Sequence, residues 1–185
     1  ALFCGITFYM PGRDAQGYLH KYICVHFYIS AVALSKITLM ETTYQYAKIH
    51  KASQKDGGES AIQFIWSLTV AQSLRAWLGI TVTVFLLIAL VDLPWRSVPY
   101  LLLSGFLLDA VMSGAITTVA CVGTDSTPKS MLAALLALTN AIVSGAALPW
   151  ADLHVTYRWL GLLTPMSYAR YLALGNVFSG EEVDC

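Results

Sequence analysis

Charge is scarce in this chain. Only 12% of its 185 residues are Asp, Glu, Lys or Arg, against about 25% in an ordinary soluble domain. By contrast 57% are apolar, and the mean hydropathy is +0.62. Water is therefore not its principal solvent. The few charges sum to zero, and no run of lysines or arginines is long enough to track a phosphate backbone, which excludes nucleic acid as a partner.

Reactive motifs are missing as well. Cys4, Cys24, Cys121 and Cys185 show neither C-x-x-C nor C-x-x-H spacing, so no zinc site and no redox pair is expected. Only Cys185, after the polar run Gly180 to Asp184, is placed for an exposed disulfide, and no partner for it is evident in the sequence. His20, His26, His50 and His154 have no histidine four residues away, and no serine sits in a Gly-x-Ser-x-Gly elbow, which leaves hydrolase chemistry without support. Gly123-Thr124-Asp125-Ser126-Thr127-Pro128-Lys129-Ser130 has the spacing of a phosphate-binding loop, but Pro128 stands where a second glycine must supply flexibility and an N–H. It reads as a short turn with Pro128 opening the next helix. The chain is expected to carry no ATPase motif, no catalytic residue, no metal site and no cofactor.

The opening segment has no initiating methionine, no basic n-region and no small-residue cleavage site, so it is not a signal peptide. Its apolar run, Ala1 to Met10, rises about 15 Å as a helix, half of a hydrocarbon core of about 30 Å. It reads as the outer half of a truncated first span in a sequence cut from a longer protein.

What the chain does have is a succession of long apolar runs. Tyr22 to Met40 is long enough to cross a bilayer and is followed by a polar segment, Glu41 to Ser60, read as a hydrophilic loop with Gly57-Gly58 in it. Ala61 to Val91 is a third span with an interfacial or tilted lead-in, broken by Asp92-Leu93-Pro94-Trp95-Arg96. Ser97 to Val122 is a fourth and Ser130 to Leu148 a fifth. Pro149 to Cys185 mixes Trp150, Tyr157, Trp159, Tyr168 and Tyr171 with Arg158 and Arg170, which suits short interfacial or re-entrant helices. The expected fold is an all-α membrane protein of about five transmembrane helices, its first helix truncated, with short helices after the fifth.

Crossings alternate sides, so 41–60 and 123–129 share one face, and 11–21, 92–96 and 149–185 the other. Basic residues divide evenly between the faces; only the cluster Lys48, Lys51 and Lys55 favours its own loop as cytoplasmic. Arg75 and Asp109 each fall near the middle of an apolar run, where an unpaired charge costs at least about 2.5 to 3.5 kcal/mol on insertion scales. They are expected to form an intramembrane ion pair between adjacent spans, rather than a relay, since no other charge is expected at that depth. His26, also inside a span, reads either as a pathway residue or as a histidine bonded to a neighbouring helix.

The C-terminal residues carry a resemblance. Ser144-Gly145, Trp159, Thr164-Pro165, Tyr168-Ala169, Leu174, Asn176-Val177-Phe178, Gly180 and Cys185 closely resemble the G-type and pleiotropic-drug-resistance ATP-binding cassette (ABC) exporters. In those proteins a Ser-Gly of the fifth span leads into W...P..Y...L..NEF.G....C within an external loop. Ala1-Leu2-Phe3-Cys4-Gly5-Ile6-Thr7-Phe8-Tyr9 is similar to that family's first span, and Glu41 to Lys51 to its charged, tyrosine-rich segment after the second. Departures are Val177 for the glutamate of NEF, no E-x-P near Arg75, no acidic partner within Lys48-Ile49-His50-Lys51, a longer 41–60 segment, and Ala146-Ala147 where some drug exporters have leucines.

The resemblance implies the transmembrane domain, spanning 1–185, of an ATP-driven exporter of lipids, sterols or amphipathic xenobiotics, working by alternating access in the plasma membrane. ATP and Mg are then expected on a separate ATPase domain, and the sixth span outside this sequence. The expected partners are that ATPase domain, a second transmembrane half, membrane lipids and a hydrophobic small-molecule substrate. It also implies that 41–60 faces the cytosol, with Glu41, Tyr44 and Lys48 coupling to the ATPase domain. Ala133, Ala137, Ala141 and Gly145 recur every four residues on the fifth span, a stripe that lets another helix approach closely. Spacing alone equally allows packing within one half. The resemblance favours a substrate path or dimer seam there, flanked by Leu138 and Asn140 beside Ala141 and faced by His26 and Ser30. The alternative is a non-transporting membrane assembly or scaffold protein built on the same fold; a weaker one is a secondary transporter using Arg75 and Asp109.

Overall fold

The computed structural model describes residues 15–36, 40–54, 60–121, 135, 159 and 161–179. Among these residues the fold is all-α. Its elements are α1 (Ala15–Ser35), α2 (Met40–Gln54), α3 (Ala61–Val91), a 3-10 turn (Trp95–Ser97), α4 (Val98–Cys121) and α5 (Pro165–Val177). The first span, at 1–10, and the fifth, at 130–148, lie outside the described residues apart from position 135, as do Cys4, Cys185 and the loop 123–130.

Local chemistry sets the helix ends. Ser60 caps α3: the Gln63 amide N–H donates to Ser60 Oγ at 3.4 Å, and the Ser60 N–H donates to Gln63 Oε1 at 3.1 Å. This reciprocal pair satisfies two otherwise orphaned donors. At the other end Asp92 adopts the left-handed conformation, φ 52° and ψ 50°, which short polar side chains tolerate. Pro94 then prevents the helix from resuming. Pro165 occupies the first turn of α5, where its missing N–H costs nothing.

At 31 residues, α3 is about 46 Å long, exceeding a hydrocarbon core of about 30 Å. It and the Trp95–Cys121 segment are long and apolar enough to cross a membrane. They lie antiparallel: Ile80 meets Gly105, the Trp77 and Phe106 rings stack at 4.9 Å, Ser73 faces Asp109, and Thr69 lies beside Gly114.

Two expectations are corrected here. Among the described residues only α3 and Trp95–Cys121 are long and apolar enough to cross a membrane; the helix expected as the second span begins at Ala15 rather than Tyr22 and ends at Ser35 rather than Met40. There the Ser35 hydroxyl donates to the Val32 carbonyl at 2.8 Å, a local bond that competes with helix continuation. The segment read as a loop from Glu41 is helical to Gln54. Its polarity does not oppose a helix, because Met40 to Gln54 contains neither glycine nor proline.

Bulky apolar side chains line the outside of α3 and α4, which a water-soluble protein avoids. Trp66, Val70, Leu74, Leu78 and Val82 recur every four residues along α3 and are all exposed, as are Leu103, Leu107 and Val111 on α4. The opposite stripe of α4, Gly105, Asp109, Ser113 and Thr117, is small or polar and buried. Apolar residues outward and small or polar residues inward is the arrangement lipid demands.

One end of the bundle gathers the start of α1, the 3-10 turn and the end of α5: the rings of Tyr18 and Phe178 lie 5.9 Å apart, and Arg96 donates to the Ser179 carbonyl. The opposite end gathers α2 with the start of α3, where the rings of His50 and Phe64 stack at 4.2 Å. Among the described residues, the start of α1, 92–96 and the end of α5 thus lie at the end opposite α2.

Candidate functional site

Four helices leave a cavity of about 760 Å³ between them. From α1 it takes Tyr28, Ala31, Val32 and Ser35, which repeat at helical spacing and so form one stripe. From α3 it takes Leu68 through Thr83 at the same kind of spacing, and from α2 Thr42 and Tyr46. Asp109 of α4 and Lys36, just beyond α1, complete it. Its volume lies within the range of about 300 to 1,000 Å³ common for small-molecule sites.

The walls are tied together by polar contacts. The Tyr28 hydroxyl donates to the Leu101 carbonyl at 2.9 Å, although the two residues are 73 positions apart. Gly105 admits that hydroxyl, for a Cβ there would collide with it and would stand 2.9 Å from Ile80 Cγ2. Across the other wall Gln72 Nε2 donates to Thr43 Oγ1 at 2.8 Å. Thr43 and Ala47, one turn apart on α2, are both buried, so this face of α2 is seated in the bundle.

Asp109 meets Lys36: Nζ and Oδ1 are 2.5 Å apart, and both side chains are at most 2% exposed. This replaces the expected partner of Asp109. Lys36 falls inside the run Tyr22 to Met40 expected as one span. With α1 ending at Ser35, the lysine is instead level with Asp109, midway along α4. Arg75 lines the same cavity, exposed and without an ion pair among the described residues. Ser73, buried, faces the Asp109 carboxylate.

The other residues singled out in the sequence fall elsewhere. His26 and Ser30 lie on the face of α1 turned away from the cavity. The Ser30 hydroxyl and His26 Nε2 are 3.4 Å apart, and the His26 ring stacks on Tyr22, which accepts from Arg170 of α5. His26 thus belongs to a polar cluster with α5. Leu138, Asn140 and Ala141 lie outside the described residues, as does the small-residue stripe of the fifth span. Glu41 is in the first turn of α2, Tyr44 is half-buried and Lys48 exposed.

Sequence reasoning missed Lys36, Tyr28, Gly105 and Gln72. A signal existed for the α4 side: Gly105, Asp109, Ser113 and Thr117 alternate by two with Leu103, Leu107 and Val111, so small or polar and bulky stripes occupy opposite faces. Nothing comparable marked Lys36.

Comparison with known sequences agrees with this architecture. A family profile described as "ABC-2 type transporter" matches residues 1–178. The chain is 23% identical over 198 aligned residues to "ABC multidrug transporter atrI" of Aspergillus fumigatus, covering 100% of the chain and 13% of that protein. It is 30% identical over 86 residues to "ABC multidrug transporter atrA" of Aspergillus oryzae, covering 46% of the chain and 6% of that protein. The chain thus spans a small part of the length of these relatives. No solved structure matches it.

Proposed function

Because this integral membrane chain belongs to the ABC-2 type transporter family, whose membrane domains work alongside ATPase domains, we propose that it forms the membrane-spanning part of an exporter of amphipathic molecules, among them lipids, sterols and xenobiotics. The observation that carries the reading is the cavity of about 760 Å³, lined by apolar groups from α1 and α3 with a few polar ones converging on it. Such a mixture suits amphipathic molecules. Alternating access, driven by ATP and Mg on a separate domain and shared with a second transmembrane half in the plasma membrane, would expose this space to the two sides in turn. In this reading the cytoplasmic end is the one that holds α2. That helix touches α4 along its buried face and presents Lys48 and Lys51 outward, so Glu41, Tyr44 and Lys48 couple ATP hydrolysis to the bundle.

The test uses the full-length protein in sealed vesicles. ATP-dependent accumulation of a fluorescent amphiphile is expected, and Tyr44→Ala with Lys48→Ala should lower both accumulation and substrate-stimulated ATP hydrolysis. Absence of ATP-dependent accumulation of any amphiphile by a correctly inserted protein would favour a scaffold. If both activities survived the two substitutions, the coupling role of α2 would be wrong.

A further inference from the structure

The charges around the cavity do not balance. Lys36 and Asp109 neutralise each other at 2.5 Å, whereas Arg75 lines the same space with no counter-charge among the described residues. A guanidinium does not lose its proton in a protein, and placing a charge within an apolar span is costly. Among the described residues the cavity therefore presents one uncompensated cation on a wall that mixes apolar groups with hydroxyls and an amide. Arginine offers a planar fork of donors that matches the paired oxygens of a carboxylate or phosphate.

The rest of the wall has a direction. Thr42 and Tyr46 bring hydroxyls from α2 to the polar end. From Arg75 the cavity runs along α3 past Gly79 and Ile80 to Thr83, a rise of about 12 Å. A Cβ added at Gly79 would meet nothing within 4 Å, so the space is open directly over the helix backbone there.

We propose that this cavity takes an amphiphile with an anionic headgroup, its carboxylate or phosphate oxygens on Arg75 and its apolar chain over Gly79 and Ile80. The inference names the substrate class of the site proposed above and rests on that reading. A cationic amphiphile would meet repulsion at Arg75, and a neutral one would leave the guanidinium unpaired.

The experiment measures binding without nucleotide, so it does not depend on export. Full-length protein in nanodiscs of neutral lipid is labelled with a diazirine-bearing palmitic acid and, separately, with the methyl ester of the same probe. Wild type should prefer the acid by roughly tenfold or more, the scale of a charged hydrogen-bonded pair. Arg75→Gln should abolish that preference. Gly79→Leu, which fills open space on a helix backbone, should lower labelling by acid and ester alike, with membrane insertion and monodisperse extraction showing that each variant folds. Equal labelling of wild type by acid and ester, or an acid preference that survives Arg75→Gln, would overturn the proposal. Displacement of the acid probe by acetate as readily as by unlabelled palmitate would also overturn it, because the site would then hold free anions rather than amphiphiles. Intact labelling with no ATP-dependent export would instead defeat the exporter reading and leave the anionic site standing.

Discussion

The two ends of the bundle are held together by different physics. Toward α5, Leu87, Ile88 and Val91 of α3 belong to one core with Leu93, Leu101 and Val177, all six at most 3% exposed. Toward α2 the same helices border a cavity, and the contacts there among the described residues include an ion pair, an amide-to-hydroxyl bond and a ring stack. Close apolar packing resists any displacement, because each atom lost from contact forfeits dispersion energy and interiors have few voids to exchange. A few polar links across an opening can instead be exchanged for others. The α5 end is thus suited to remain fixed while the α2 end rearranges, and it is the α2 end that faces the proposed ATPase partner.

The comparison breaks most visibly at Lys36 and Asp109. Replacing either by leucine leaves the other charge buried and unpaired, a loss of about 3 to 5 kcal/mol for a buried pair. Replacing both should recover most of that, since an apolar pair of similar volume often substitutes without cost. Thermal unfolding of the two single variants and the double variant in nanodiscs would measure the coupling. Additive losses would mean that the two side chains do not depend on each other.

Gly105 tests the boundary between the two ends. The Tyr28 hydroxyl and Ile80 Cγ2 both occupy the space a Cβ would need. Gly105→Ala should therefore destabilise by about 1 to 3 kcal/mol, the usual cost of overpacking. Tyr28→Phe removes the obstructing oxygen together with its bond to the Leu101 carbonyl, costing about 1 kcal/mol by itself. Combined with Gly105→Ala, however, it should cost less than the sum of the two single changes. The same unfolding measurement checks this, and strict additivity would remove Tyr28 from contact with Gly105.

Which parts of this architecture could be read from the sequence follows the same division. The apolar runs at Ala61–Val91 and Ser97–Val122, the break at Asp92 to Arg96 and a short helix within Pro149–Cys185 rest on length, proline, aromatic content and hydropathy, all local signals. The expectation that Asp109 faces protein rather than lipid was also legible, because a carboxylate within an apolar run has few alternatives. Its partner was not. Choosing between Lys36 and Arg75 requires the depth of each residue, and an error in where α1 ends moves Lys36 along the bundle relative to α4. The helix α2 was hidden for another reason: polarity between two spans marks a segment outside lipid but does not distinguish a loop from a helix. The cavity itself arises from how four helices diverge, a property that no single helix encodes.

The smallest expected effect on stability falls at the joint between α2 and α3, and there stability and coupling should part. Gln72 Nε2 donates to Thr43 Oγ1 at 2.8 Å, a neutral side-chain bond whose net contribution is about 0.5 to 1.5 kcal/mol. Thr43→Val keeps the shape and β-branching of the side chain while removing the acceptor. Unfolding should therefore shift by about 1 kcal/mol or less, the Gln72 amide being half-buried and able to find other partners. The same bond is one of the few links between the proposed coupling helix and the helix that carries Arg75, so its loss should reduce the stimulation of ATP hydrolysis by an amphiphile more than it reduces basal hydrolysis. An equal reduction of both rates would make Thr43 merely structural, and unchanged stimulation would mean that α2 communicates through α4 alone, against which it also packs.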